Sequence, residues 1–128
     1  MRNSDIAYLT GFFDGEGSVM LSLNQSAGLQ VSIACSQNTR TVLDMYVKAF
    51  GGHVYGHKPK NRNSEMFQWR ANGDVAIKAL MRMAPYLLVK ALSANEAFVA
   101  WGQRLNKDVV AELVEAHRTR VHEEREAR

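Results

Sequence analysis

Nine residues decide the fold, and they read Leu9-Thr10-Gly11-Phe12-Phe13-Asp14-Gly15-Glu16-Gly17. They close an apolar run that begins at Ile6. Ser4 and Asp5, two residue types favoured at helix starts, stand just before that run. The pattern predicts a capped first helix that ends among the glycines at positions 15 and 17.

A stripe of small residues follows one face of this predicted helix, because Ala7, Gly11 and Gly15 are spaced by four. A glycine in the middle of a helix costs about 1 kcal/mol relative to alanine, so Gly11 requires a reason. Small residues let a second helix approach closely, and no later segment of the chain carries a matching stripe. We therefore expect the partner to be the same helix of a second copy, in a two-fold contact.

Two carboxylates, Asp14 and Glu16, fall at the C-terminal end of the same helix. The partial negative charge of a helix end disfavours each of them there by up to about 1 kcal/mol. The residues alone leave two interpretations open. Either both side chains are solvated turn residues among glycines, or a carboxylate and a free backbone carbonyl hold a divalent cation.

Two hairpins are predicted from apolar residues that alternate with polar ones. The first joins strands at 19–23 and 29–35 through a turn at 24–28. The second joins strands at 53–58 and 66–71 through a basic loop at 58–64. In each hairpin one face is apolar and the other is mostly polar.

Helices are predicted at 40–50 and 74–83, and two further helices at 89–104 and 106–127. The order of helix, hairpin, helix, hairpin and helices predicts an α+β fold. In it, a curved antiparallel four-stranded sheet is covered by helices on one face. The length of 128 residues suits a single domain over positions 1–128.

Composition excludes several classes of protein. The single cysteine, Cys35, cannot form an intramolecular disulfide or a zinc ribbon. No apolar run approaches a membrane span and no secretory leader opens the sequence, so we expect a soluble intracellular protein, in the cytoplasm or an organelle matrix. Residues 38–72 carry six cations against Asp44 and Glu65, and this basic segment permits an anionic partner. His117 and His122, on a charged helix, are expected to be exposed.

The stretch from 9 to 17, continued by Ser18 and Val19, resembles the nine-residue motif of the LAGLIDADG homing endonucleases, with Glu16 accepted for the second aspartate. Ser36-Gln37-Asn38-Thr39 resembles the segment where dimeric members place a polar residue behind the metal site. Residues 85–90 resemble the segment that supplies their active-site lysine. The resemblance covers about residues 5–100 and leaves the C-terminal helix without an assigned role.

The resemblance implies a homodimer whose motif helices, with Ala7, Gly11, Asp14 and Gly15 at the interface, pack side by side. It implies that Glu16 and the carbonyl of Gly15 bind Mg²⁺ or Mn²⁺ at the scissile phosphates of double-stranded DNA. Asp14 matches the earlier acid of the motif, which in the family helps cap the partner helix, and its role here is expected to be more structural.

Two more catalytic residues follow from the same resemblance. Gln37 would orient the nucleophilic water, and Lys90 would stabilise the transition state. Without the motif, a glutamine at a strand end and a lysine on a helix would be taken as solvated surface residues.

The polar sheet face would then lie in the major groove of the DNA. Arginine pairs well with guanine and glutamine with adenine, while lysines of the basic loop would bind phosphates. The expected DNA-binding residues are Ser18, Ser22, Asn24, Gln30, Ser32, Tyr55, His57, Lys58, Lys60, Arg62, Gln68 and Arg70.

Three functions are compatible with these observations. The first is a homing endonuclease, a homodimeric site-specific nuclease that uses a divalent metal to cut a long, roughly palindromic DNA site. The second is a DNA- or RNA-binding protein on the same scaffold that does not cleave, such as an intron maturase or a regulator. The third is a protein-interaction module in which the small-residue stripe is an ordinary dimer contact.

Overall fold

The computed structural model describes residues 1–58, 60 and 65–127, and its helices and strands follow the predicted order. The first half forms α1 (Asn3–Glu16), β1 (Gly17–Asn24), β2 (Gly28–Gln37) and α2 (Thr41–Phe50). The second half forms β3 (His53–His57), β4 (Met66–Asn72), α3 (Gly73–Met83), a 3-10 turn (Ala84–Tyr86), α4 (Ala91–Gly102) and α5 (Lys107–Glu126). No helix in the described ranges combines the length and the apolar character that a membrane span requires.

The four strands form one antiparallel sheet in the order β1-β2-β4-β3, so β1 and β3 are its edges. Gly17 pairs with Cys35, Cys35 with Trp69, and Trp69 with Val54, which fixes the register across the whole sheet. Helices bury the face that carries Cys35 and Trp69 and leave the other face open. The predicted α+β fold with a four-stranded antiparallel sheet covered on one face is confirmed.

Two buried aromatic side chains join the helices to the sheet. Tyr46 of α2 and Trp69 of β4 are fully buried, with ring centroids 4.6 Å apart. The Tyr46 hydroxyl donates to the Leu9 carbonyl at 2.5 Å, and Trp69 Nε1 donates to the Gly51 carbonyl at 2.9 Å. The first bond fixes the middle of α1 against α2, and the second fixes the end of α2 against the sheet.

The junction between α1 and β1 has no loop, because Gly17 follows Glu16 directly as the first residue of the strand. A Cβ at Gly17 would lie 2.4 Å from the Phe13 ring, closer than any side chain can approach. Only glycine therefore lets the helix turn straight into the edge strand, with Glu16 at the corner.

Two helix starts differ from the prediction by more than one residue, whereas the other three agree to within one. α1 begins at Asn3, and the Asp5 carboxylate accepts the backbone N–H of Arg2 at 3.1 Å, so Asp5 rather than Ser4 closes its first turn. α4 begins at Ala91 rather than at 89, because the backbone of residues 88–90 turns aside to bond the carboxylate of Asp14.

Candidate functional site

The carboxylate of Asp14 is enclosed by the backbone of three consecutive residues. Its Oδ2 accepts the N–H of Leu88 at 3.0 Å and of Val89 at 2.9 Å, and its Oδ1 accepts the N–H of Lys90 at 2.7 Å. Burial raises the pKa of this carboxyl, but the three amides and the charge of Lys90 lower it more, so the net pKa lies below its ordinary value. Asp14 thus joins the end of α1 to the start of α4 as an anion.

This arrangement adds contacts within the chain to the structural role predicted for Asp14. The expectation was that it helps cap the helix of a partner chain, and in addition both of its oxygens bond amides of its own chain. Only 8% of the residue is exposed. Its position at the end of α1 agrees with the motif, and its bonds to residues 88–90, which lie 74–76 positions away in sequence, were not predicted. A contact of Asp14 with a partner helix stays a prediction.

Lys90 is held beside the end of α1 by the same contact. Its Nζ donates to the backbone carbonyl of Asp14 at 3.0 Å, and the residue stands at the N-cap position of α4. An ammonium has three donors, so this bond leaves two of them for another acceptor. Lys90, Gly15 and Gly17 line a cleft of about 140 Å³ at this corner of the molecule.

Glu16 is the last residue of α1 and is exposed, as is Gly15 before it. Within the described residues, its carboxylate has no hydrogen-bond or ion-pair partner. The neighbouring thiol of Cys35 has its pKa raised to about 11, first by burial and then by the negative charge of Glu16, while the charge of Lys90 lowers it. Both charges therefore lie near the end of the sheet, where Gln37 follows two residues after Cys35 and is half-buried.

The donors at this corner fit Mg²⁺ or Mn²⁺ but supply only part of a coordination shell. Glu16 offers a carboxylate and Gly15 a backbone carbonyl, the oxygen ligands that hard divalent ions prefer. In the described part of the chain, no three His, Cys, Asp or Glu side chains cluster tightly enough to hold a metal. Mg²⁺ characteristically keeps several waters and binds substrate phosphates, so a single carboxylate per chain is compatible with such an ion.

No close contact within the described chain explains why two positions of the small-residue stripe are glycines. A Cβ added at Gly11 or Gly15 would meet no described atom within 4 Å, and both glycines are exposed. Apolar side chains flank the stripe: Tyr8 is 57% exposed on the same helix, and Leu88, attached through Asp14, is 84% exposed. A bare helix face edged by exposed apolar groups is typical of a surface that another chain covers.

The open face of the sheet brings most of the predicted base-reading residues into rows. Gln68 lies between Ser36 and Tyr55, and Arg70 lies between Ala34 and His53. Ser22 lies opposite Gln30 near the first hairpin turn, Ser32 opposite Met20, and Ser18 opposite Ala34. None of the four strands contains an acidic residue, so this face is polar and basic.

Several of these residues bond one another in the described structure. The Arg70 guanidinium donates to Ser32 Oγ at 3.0 Å and to Gln68 Oε1 at 3.4 Å, and Gln68 Nε2 donates to Ser36 Oγ at 3.3 Å. These bonds hold the arginine and the glutamine across the strands. Asn24 differs, because its side-chain oxygen accepts the backbone N–H groups of residues 26 and 27 and is used by the hairpin turn.

The remaining predicted DNA contacts lie around the second hairpin loop. Lys58 and Lys60 are exposed. Arg62 lies outside the described residues, and for His57 only the backbone, paired with Met66, is described.

Comparison with known proteins was made at three levels. No protein-family model and no curated protein matches the sequence. Among solved structures, the homing endonuclease I-CvuI in complex with its target has a TM-score of 0.73 at 21% identity, over 90% of this chain and 80% of that chain. The archaeal intron-encoded homing endonuclease I-Vdi141I, complexed with DNA, has a TM-score of 0.71 at 15% identity, over 91% of this chain and 84% of that chain. This chain has the LAGLIDADG fold.

A third match shows how the LAGLIDADG fold is used in a longer chain. The LAGLIDADG meganuclease I-AabMI, bound to uncleaved DNA, matches with a TM-score of 0.65 at 22% identity. The match covers 85% of this chain but only 43% of that chain. The matched part of our chain thus spans less than half of the longer protein.

One polar cluster of this chain was not predicted from the sequence. Glu96 of α4 accepts bonds from both Arg120 Nε and Nη2 at 2.7–3.0 Å, and its Oε1 lies 2.8 Å from His117 Nδ1. His117 is only 3% exposed, so the expectation that it is exposed was wrong. The pKa of Glu96 is raised by burial but lowered more by its two partners. Arg120 also donates to Ser93 at 2.7 Å.

Proposed function

We propose that two copies of this chain form a homing endonuclease, which cuts both strands of a long, roughly palindromic DNA site with a divalent metal. The observation that carries the proposal is the exposed carboxylate of Glu16. It has no described partner and stands at the end of a helix whose glycine face is bare. The structural neighbours I-CvuI and I-Vdi141I are DNA complexes of homing endonucleases, which supports DNA as the substrate.

The need for two copies is supported by what one chain lacks. A double-strand cut requires two hydrolytic sites, and each chain supplies one Glu16. Gly11 and Gly15 leave space for a second α1 to approach, and this chain spans less than half of I-AabMI. Two copies would place two glutamates beside each other at the centre of an extended open face.

The chemistry assigned to this site is phosphodiester hydrolysis. Glu16 and the Gly15 carbonyl would hold Mg²⁺ or Mn²⁺, which when bound supplies Lewis-acid activation of the phosphate and lowers the pKa of water. Lys90, already fixed by Asp14, would place its remaining donors against a phosphate oxygen and offset the charge that develops there. Gln37 would orient the attacking water from the strand end.

The open face would bind the DNA that is cut. Arg70 and Gln68, held by Ser32 and Ser36, can form bidentate contacts with guanine and adenine in the major groove. Lys58 and Lys60 would bind phosphates at the far end of each half-site. The hydrogen bonds that Arg70 and Gln68 make to the two serines must break or rearrange before these side chains can bond a base. Bases whose edges complement the donors and acceptors of the two side chains would be favoured.

The decisive experiment combines a substitution with a target selection. Purified protein with Mg²⁺ is incubated with a large library of randomised palindromic duplexes, and cut molecules are sequenced. On the selected site, Glu16→Gln should lower the cleavage rate by about a thousandfold or more while DNA affinity stays the same or rises, because a carboxylate beside phosphate is removed. Glu112→Gln, on the exposed side of α5, is the matched control and should cut normally.

Tight binding of one sequence without cleavage in Mg²⁺ or Mn²⁺ would contradict the nuclease and favour the non-cleaving nucleic-acid binder. Failure to bind any duplex, together with dimer formation, would favour the interaction module instead.

A further inference from the structure

α5 is net acidic, and its exposed acids and bases are close neighbours in places, since Glu115 lines one cleft together with Arg118 and His122. Val110, Val114 and His117 are buried against the rest of the molecule, and the helix packs on β1 and α4. The acids Glu112 and Glu115 lie together on an outer side. The net charge of the helix therefore does not describe the surroundings of each cation.

Three basic residues, Arg118, His122 and Arg125, form a row on α5, which we call the α5 row. Their spacing of four and three places them within about 60° of one another around the helix and over about 10 Å of its axis. All three are exposed, and they line one cleft of about 210 Å³ together with β1 residues that include Met20.

The cleft shared with β1 places the α5 row at the border of the open sheet face. Met20 belongs to that face, since it lies opposite Ser32 in the register. β1 is an edge strand, so no other strand intervenes between it and α5. The row therefore continues the open face beyond the edge of the sheet.

One end of the α5 row reaches the corner of the proposed active site. Arg125 also lines the cleft of about 140 Å³ that Gly15, Ser18 and Lys90 line. Arg118 and Arg125 have no ion-pair partner in the described part of the chain, whereas Arg120, on the other side of the same helix, is bonded to Glu96 and Glu124. In the described part of the chain, Arg118 and Arg125 are thus the two side chains of the row that remain available to an external anion, whereas His122 Nε2 lies 3.8 Å from the carboxylate of Glu126.

We infer that the α5 row binds backbone phosphates of the DNA and extends the open face from β1 toward the scissile position. This inference rests on the proposed function. The row spans about 10 Å, which matches about three base-pair steps of a DNA strand. Contacts of this kind position the duplex and carry no sequence information, so they strengthen binding to every sequence alike.

The test uses a random-sequence DNA duplex of about 30 base pairs, so that it does not depend on knowing the target. The variant R118Q/R125Q is compared with the wild type and with K48Q/K78Q, which removes the same charge from exposed lysines on α2 and α3. Affinity is measured by fluorescence anisotropy between about 50 and 200 mM salt, the range over which phosphate contacts weaken steeply.

Each lost phosphate contact reduces the slope of log affinity against log salt by about 0.9. Two residues in each of two chains should therefore reduce the slope by about 3 to 4 and weaken binding at least tenfold at low salt. K48Q/K78Q should retain the wild-type slope. R118K/R125K, which keeps the charges, should restore most of the binding and excludes an effect of misfolding.

The outcomes separate the inference from the proposed function. If the wild type binds the duplex and R118Q/R125Q shows the same slope as K48Q/K78Q, the α5 row is not a phosphate site and the nuclease proposal is untouched. If the wild type binds no duplex at low salt, the proposed function fails and the inference fails with it.

Discussion

The C-terminal end of α1 and the contact between α4 and α5 both place a glutamate near basic side chains, and they treat it in opposite ways. Glu96 is half-buried and bonded by both Arg120 and His117. Glu16 is exposed and has no described partner, although Lys90 is anchored close by. A carboxylate whose oxygens accept hydrogen bonds from neighbouring side chains contributes to the stability of the fold. A carboxylate without a partner, at a helix C-terminus where the helix dipole disfavours negative charge, is available to a ligand.

The same contrast recurs within two residues of sequence. Asp14 and Glu16 stand on one helical turn, yet Asp14 has three backbone donors and is 8% exposed. Asp14 therefore belongs to the architecture, and Glu16 is left for the chemistry that we propose.

The largest effect on stability is expected from Asp14→Ala. It removes the acceptor of three amides and leaves part-buried N–H groups unsatisfied, so the free energy of unfolding should fall by about 3 kcal/mol. Glu16→Gln should change it by less than about 0.5 kcal/mol. Urea unfolding at one fixed protein concentration measures both variants. If the Asp14→Ala variant were as stable as the wild type, the three bonds of Asp14 would not contribute to the stability of the fold.

The sequence was sufficient to predict the fold because its signals are local. Alternating apolar residues predicted all four strands. The glycines at positions 15 and 17 and at 51 and 52 predicted where the first two helices end. The motif around Glu16 drew attention to the corner where Lys90 and Gly15 share a cleft. The roles given there to Glu16, Gln37 and Lys90 stay predictions, since geometry alone does not test catalysis.

What could not be predicted depends on contacts between distant segments. The three amides around Asp14 are 74–76 residues away, and Glu96 is 21 and 24 residues from His117 and Arg120. Helical periodicity tells which residues share a face but not which element that face meets. For the same reason the sequence did not predict a function for the α5 row, whose position depends on its packing beside β1.

A smaller effect, on association rather than folding, is expected from Gly11→Ala. Within one chain the new methyl group meets nothing and should stabilise α1 by up to about 1 kcal/mol. Between two chains it would separate the helices, and we expect the dimer dissociation constant to rise about tenfold, or about 1.4 kcal/mol. Gly102→Ala on α4, which also has open space, is the control. Sedimentation equilibrium would refute the two-copy contact if both variants dimerised like the wild type.

The smallest effect is a pH dependence that distinguishes carboxylates with partners from those without. Folding lowers the pKa of both Asp14 and Glu96 below their ordinary values of 3.8 and 4.5. Their contribution is therefore complete above about pH 5 and is lost as the pH falls through the lower folded values, because the unfolded chain then binds more protons. The loss should be partial, since a protonated Asp14 still accepts some bonds. Glu96→Gln removes one of these groups and should flatten the decline of unfolding free energy below pH 5, whereas Glu112→Gln should leave it unchanged. An identical decline in both variants would mean that the bonds from His117 and Arg120 do not favour the ionised form of Glu96.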